Sequence, residues 1–182
     1  MSESSFFDGV DDLDTIPDDP FGLPDNTYRV RIMEAMYSPT QGTKDDEVPK
    51  YGITVKYQIV EGEYQTAFPF QEWLHTPGKN DDPNDPDPKK KAEVRRAHSN
   101  LKKHFLAYGF GVDELRTIVP EKGFGAPGSV PILVDREVYV KVKTRLDKQD
   151  RKQIQVQDLF SVDSEGADEF VASTSKNSIV DF

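Results

Sequence analysis

At 182 residues the chain has room for one ordinary domain with tails, and a composition of 35 % hydrophobic and 31 % charged residues leaves part of it too polar to join a packed core. The absence of cysteine excludes disulfides, thiolate metal sites and cysteine nucleophiles. No run reaches the roughly 18 apolar residues of a membrane span, and MSESSFFDGVDDLD has neither a basic nor an apolar leader region, so a cytoplasmic protein without membrane contact is expected.

The net charge of −10 argues against a polyanion ligand until its distribution is read. Residues 1–25 hold eight acids (Glu3, Asp8, Asp11, Asp12, Asp14, Asp18, Asp19, Asp25) and no Lys or Arg, which is −8. Residues 161–182 hold five (Asp163, Glu165, Asp168, Glu169, Asp181) against Lys176, which is −4, so residues 26–160 are left at +2. The first 25 residues, with three Pro, two Gly and no sustained periodicity, are expected to be mostly disordered, as is the tail 161–182.

A turn at Pro24 to Thr27 opens the domain, and Tyr28, Val30 and Ile32 then alternate with Arg29 and Arg31 through Met36, as in a half-buried strand. After a polar loop (Ser38 to Lys50), Ile53, Val55, Tyr57 and Ile59 alternate with Thr54, Lys56 and Gln58 in a second strand, and Glu61 to Tyr64 is expected to close a tight hairpin. The third strand should follow at once, with Tyr64, Thr66, Phe68 and Phe70 on one face and Gln65, Ala67, Gln71 and Trp73 on the other; Pro69 puts it at an edge or a bulge. Residues 76–88, with four Pro and four Asp against one Lys, break the chain. Val94, Ala97, Leu101, Phe105 and Tyr108 then recur at helical spacing among seven Lys and Arg, predicting a basic amphipathic helix that ends at Gly109. A short helix from Val112 to Val119 and a Gly/Pro-rich connector (Glu121 to Pro131) precede the sharpest alternation in the chain, Val138, Val140 and Val142 against Tyr139, Lys141, Lys143 and Arg145. Leu146 to Asp150 turns, and Ile154, Val156 and Phe160 form the inner side of the last strand with Gln153, Gln155 and Gln157 outside.

Three strands, a helix and two strands predict a mainly β (α+β) domain over residues 26–160: a five-stranded OB-type Greek-key barrel with a helix between strands 3 and 4, flanked by disordered acidic tails. Other α+β meanders fit the same string.

On that frame the fourth strand projects Tyr139, Lys141, Lys143 and Arg145 together, and the first projects Arg29 and Arg31. Cations neutralise phosphates and aromatic rings stack on bases, which is the sequence-independent recipe for single-stranded nucleic acid. Candidate stackers are Trp73, Tyr139, Tyr37 and Tyr51, and Lys56 adds a cation. Alternate Lys and Arg also serve simply to keep an exposed sheet face soluble. A second cluster (Lys89, Lys90, Lys91, Arg95, Arg96) sits where the helix dipole disfavours cations.

At the far end, Ile179, Val180, Asp181 and Phe182 form an apolar tip with an acid behind a polar linker, a candidate for docking in a partner's pocket. The strands NTYRVRIMEA and KYGITVKYQIVEGEY, the helix AHSNLKKHFLAYGF, the pair REVYVKVKTRLDKQDRKQIQVQDL and the tip NSIVDF together resemble phage-encoded OB-fold single-stranded-DNA-binding proteins. The resemblance implies DNA replication or recombination, with the tail recruiting partner proteins. This chain departs from the family in having one acid in its last six residues, the other tail acids lying further back. A homo-oligomer is left open.

Nothing in the sequence looks catalytic. His98 and His104 are six apart, which is no metal pair on a helix, and with His75 they read as surface histidines. The cluster Asp81, Asp82, Asp85, Asp87 lacks a calcium-loop pattern, and GFGAPG lacks the Lys of a phosphate loop, so no metal or cofactor is expected. The alternatives are a non-catalytic adaptor whose barrel binds protein and a metal-dependent nuclease of phage recombination.

Overall fold

Period-two alternation builds the sheet, and two bulges decide which residues it turns inward. The computed structural model describes residues 23–39, 50–65, 67, 69–77 and 81–169. They form a mainly β structure: one antiparallel sheet with β1 (Asn26–Pro39), β2 (Tyr51–Ile59), β3 (Phe70–Thr76), β4 (Gly128–Ser129), β5 (Glu137–Leu146) and β6 (Lys152–Ser161). The hydrogen-bonded order is β3-β2-β1-β5-β6, with the two-residue β4 beside β1, a sixth strand that its length hid in the connector. One long helix, α1 (Pro88–Ala107), follows β3, and 3-10 turns occupy Val112–Thr117 and Pro131–Leu133. No helix among the described residues is long and apolar enough to cross a membrane.

Val30, Ile32, Val55, Tyr57, Val138, Val140 and Val142 are buried on the inner face, as their alternation predicts. In β1 the register shifts between Ile32 and Glu34, leaving Met33 as an extra residue, so the parity reverses and Ala35 and Tyr37 enter the core. A second shift between Lys141 and Val142 adds Gln157 to β6; Leu159 is then the buried residue opposite Val140, and Phe160 moves to the outer face opposite Tyr139. The expectation of Phe160 inside fails for this reason.

The expected tight hairpin after β2 is also wrong. Val60 to Pro69 is a longer connection, and β3 begins only at Phe70. Pro69 has no N–H for a ladder, Gly62 takes φ +84°, and the Gln58 side-chain amide donates to the carbonyls of Gln65 (2.9 Å) and Ala67 (3.1 Å) in place of strand pairing. β3 ends the pairing path, as an edge strand next to a proline should.

The Asp87 carboxylate accepts the Lys89 N–H at 2.9 Å and caps α1, Pro88 occupies the first turn, and Gly109 at φ +85° ends it. The helix buries Val94, Ala97, Phe105 and Ala107. It packs against both β3 and β6, the two ends of the path, which also touch each other. Two consecutive helix residues make polar ties to those edges: Lys103 Nζ lies 2.6 Å from Asp158 of β6, and His104 Nε2 lies 3.2 Å from Glu72 of β3.

His104 is therefore not a surface residue; it is 4 % exposed. Its Nδ1 lies 2.8 Å from the carbonyl of Asn100, and because a carbonyl only accepts, this nitrogen carries a proton. Glu72 accepts from the Tyr57 hydroxyl at 3.2 Å, and Tyr57 is paired in turn with the Tyr108 hydroxyl. Burial pushes both tyrosines well above the ordinary phenol range and keeps them neutral donors. Glu72 thus links His104 to the buried tyrosine pair, and removing it takes a partner from two groups. Glu72→Ala is expected to destabilise the fold by about 2–3 kcal/mol in chemical denaturation, and Glu72→Gln by clearly less, since an amide can still pair with both neighbours.

Candidate nucleic-acid interface

Directly opposed residues of an antiparallel ladder share a face, so the register shows which side chains stand together. Across the sheet the outer pairs run Trp73 with Thr54, Gln71 with Lys56, Lys56 with Glu34, Gln58 with Arg31, Arg31 with Glu137, Arg29 with Tyr139 and Thr27 with Lys141. Beyond the second bulge they continue as Lys143 with Gln155 and Arg145 with Gln153. Arg29, Arg31, Lys56, Trp73, Tyr139, Lys141, Lys143 and Arg145, all expected to point outward, therefore occupy one face of one sheet. Strand rise separates Lys141, Lys143 and Arg145 by roughly 7 Å each.

Trp73 is 41 % exposed although it sits mid-strand. Its indole lies on Gly52, the neighbour one pair along on β2, where any Cβ would overlap Cε2, Cζ2 and Nε1 of the ring. His75 flanks it with ring centroids 5.6 Å apart. A missing side chain at position 52 thus provides a bed for one face of the indole.

The cations on this face are not equivalent. Glu137, one pair along from Tyr139, accepts from Arg29 Nε (2.8 Å) on one carboxylate oxygen and from Arg31 Nη2 (2.7 Å) on the other, while Arg29 also reaches Glu61 at 3.4 Å. The Arg31 hydrogen bond, reinforced by Arg29, holds the Glu137 carboxyl below the usual range. The trio carries +1 rather than +2. Opposite Lys141, Asp158 is engaged by Lys103 of α1. Among the described residues, Lys56, Lys141, Lys143 and Arg145 form no ion pair.

Two expected stackers are misassigned. The β1 bulge turns Tyr37 into the core, and Tyr51 is half-buried and stacks on it with centroids 5.5 Å apart. Glu137 went unseen although alternation places it with Tyr139 and Lys141; extending the strand one residue back would have found it. Phe160 had no such signal, because a bulge leaves no mark in side-chain pattern. Of the remaining basic residues of α1, Lys89, Lys90, Arg95, Arg96 and Lys102 are exposed and Lys91 is half-buried, and Arg95 Nε donates to the carbonyl of Pro83. Asp82, Asp85 and Asp87 accept nearby backbone N–H groups, which is turn and cap chemistry. Ile179, Val180, Asp181 and Phe182 lie outside the described residues.

A different surface offers an apolar cleft of about 700 Å³ between α1 and the connector, lined by Leu101, Phe105, Leu115, Ile118 and Phe124, with Phe124 61 % exposed.

No protein-family model matches this chain, and comparison with curated proteins finds no relative. The reading of the face rests on its chemistry alone.

Since the Glu137 pKa is lower folded than unfolded, its contribution to stability is complete above its ordinary value of 4.5 and is lost as pH falls through the folded value. Thermal melts of the protein and of Glu137→Gln between about pH 6 and 3 are expected to converge towards the acid end, because the variant lacks this share of acid sensitivity.

Proposed function

We propose that the protein is a sequence-nonspecific single-stranded-DNA-binding protein whose sheet curls into a five-stranded OB-type barrel and presents its outer face to the strand. The strand order and the approach of β3 to β6 under α1 support that architecture. One observation carries the functional reading: a half-exposed indole bedded on a glycine shares a sheet face with four cations that form no ion pair among the described residues.

The free face of Trp73 stacks on a base, and Tyr139 offers a second ring beside Arg29. Lys141, Lys143, Arg145 and Lys56 neutralise phosphates and release counterions. Every base has a π-face and every nucleotide a phosphate, so neither contact reads sequence. Duplex DNA hides its base faces and competes poorly. The role is binding without chemistry, and residues 179–182 dock replication or recombination proteins, a role supported by the pattern's resemblance to phage proteins.

The adaptor reading is favoured by the cleft beside Phe124, whose exposed ring suits a protein partner.

Trp73 is the only tryptophan, so its fluorescence reports the face directly. Titration with oligo-dT is expected to quench it, with affinity falling steeply between about 50 and 200 mM salt. Trp73→Ala should weaken binding roughly 5- to 150-fold, the equivalent of one lost stacked base. Gly52→Ala, which displaces the ring without changing charge, should weaken it in the same direction. Binding that ignores both substitutions, or equal affinity for duplex, would overturn the reading.

A further inference from the structure

We infer that the cationic end of β5 is also the docking surface for this chain's own acidic residues 1–22, which compete there with the nucleic-acid backbone. The competition rests on the reading above; the docking does not.

The described chain begins at the cations themselves. Leu23 is 4 % exposed and fixed in the core cluster. Its carbonyl accepts from the Thr144 hydroxyl at 2.9 Å, and the Thr144 N–H donates to Asp25 Oδ1 at 2.7 Å. The Tyr28 hydroxyl donates to the carbonyl of Pro24 at 2.9 Å. These bonds hold Pro24 to β1 and pin Leu23 and Asp25 to β5 at Thr144, whose chain neighbours on both sides are the exposed Lys143 and Arg145. Adjacent Cα atoms are about 3.8 Å apart, so the first described residues lie within one residue of two cations that form no ion pair among the described residues.

Residues 1–22 contain Glu3, Asp8, Asp11, Asp12, Asp14, Asp18 and Asp19 and no Lys or Arg, a charge of −7. Asp19 and Asp18 are four and five residues from Leu23, so they lie no further than roughly 14 to 18 Å from it, even fully extended. Tethering makes the encounter intramolecular, at an effective concentration on the order of millimolar, so individually weak ion pairs suffice to hold it. The other end of the chain is a poor competitor: residues 170–182 carry Asp181 against Lys176 and no net charge. A long single strand, contributing phosphates in series, displaces the segment, whereas short anions do not.

Two measurements on the full-length protein test this. Zero-length carbodiimide cross-linking without DNA, followed by peptide mapping, should join Asp18 or Asp19 to Lys141 or Lys143; cross-links confined to the lysines of α1, or none from residues 1–22, would overturn the docking. The second uses a full-length variant carrying Glu3→Gln, Asp8→Asn, Asp11→Asn, Asp12→Asn, Asp14→Asn, Asp18→Asn and Asp19→Asn. It should bind oligo-dT several-fold more tightly than the unaltered chain at about 50 mM salt, with the gap closing near 200 mM as screening removes the competition. Equal or weaker binding would overturn the competition. If neither protein binds oligo-dT, the single-strand reading falls, and the cross-link map still decides the docking.

Discussion

Val138, Val140 and Val142 cannot reach the core unless Tyr139, Lys141 and Lys143 face away from it. That constraint of an extended strand organises the molecule. Burying one apolar row per strand creates a second row pointing outward, and ladder pairing brings the outward rows of β1, β2, β3 and β5 onto one face. The outer cationic surface is thus a by-product of the core, and a substitution that shifts register would rearrange both together.

Charge on this face is graded rather than uniform. Near its middle, Glu137 clamps two arginines and spends much of their charge internally. Towards the C-terminal end of β5, Lys141, Lys143 and Arg145 have no such partner among the described residues, and it is there that Leu23 and Asp25 are bonded to Thr144. A molecule of net charge −10 can present a cationic surface because its acids are concentrated at the termini and in the loop before α1. The polar ties from Lys103 and His104 hold that helix across both sheet edges.

The strands of alternating valine, isoleucine and arginine were legible because burial and exposure follow a fixed period, and so was α1, whose apolar stripe and Asp87–Pro88 start obey local rules. What was not legible depended on interactions distant in sequence. The bulges at Met33 and Gln157 reverse parity, which is why Tyr37 was expected outside and Phe160 inside. His104 is buried because Glu72, 32 residues earlier, meets it. The delayed start of β3 comes from the Gln58 amide capturing carbonyls that a ladder would have used. Trp73 was identified as a stacker, but its bed on Gly52 is a property of register and no residue type announces it. Leu23 and Ala167, which composition groups with the polar tails, are both buried.

The central claim, that the outer face of β1, β2, β3 and β5 carries the strand, is tested most directly by mapping amide and indole chemical shifts as a short oligo-dT is added. Perturbations centred on the Trp73 indole N–H, Gly52, Lys56 and the odd-numbered residues from Tyr139 to Arg145 are what the account predicts. Shifts gathered instead along α1 and the cleft beside Phe124, with the Trp73 indole signal unmoved, would contradict it.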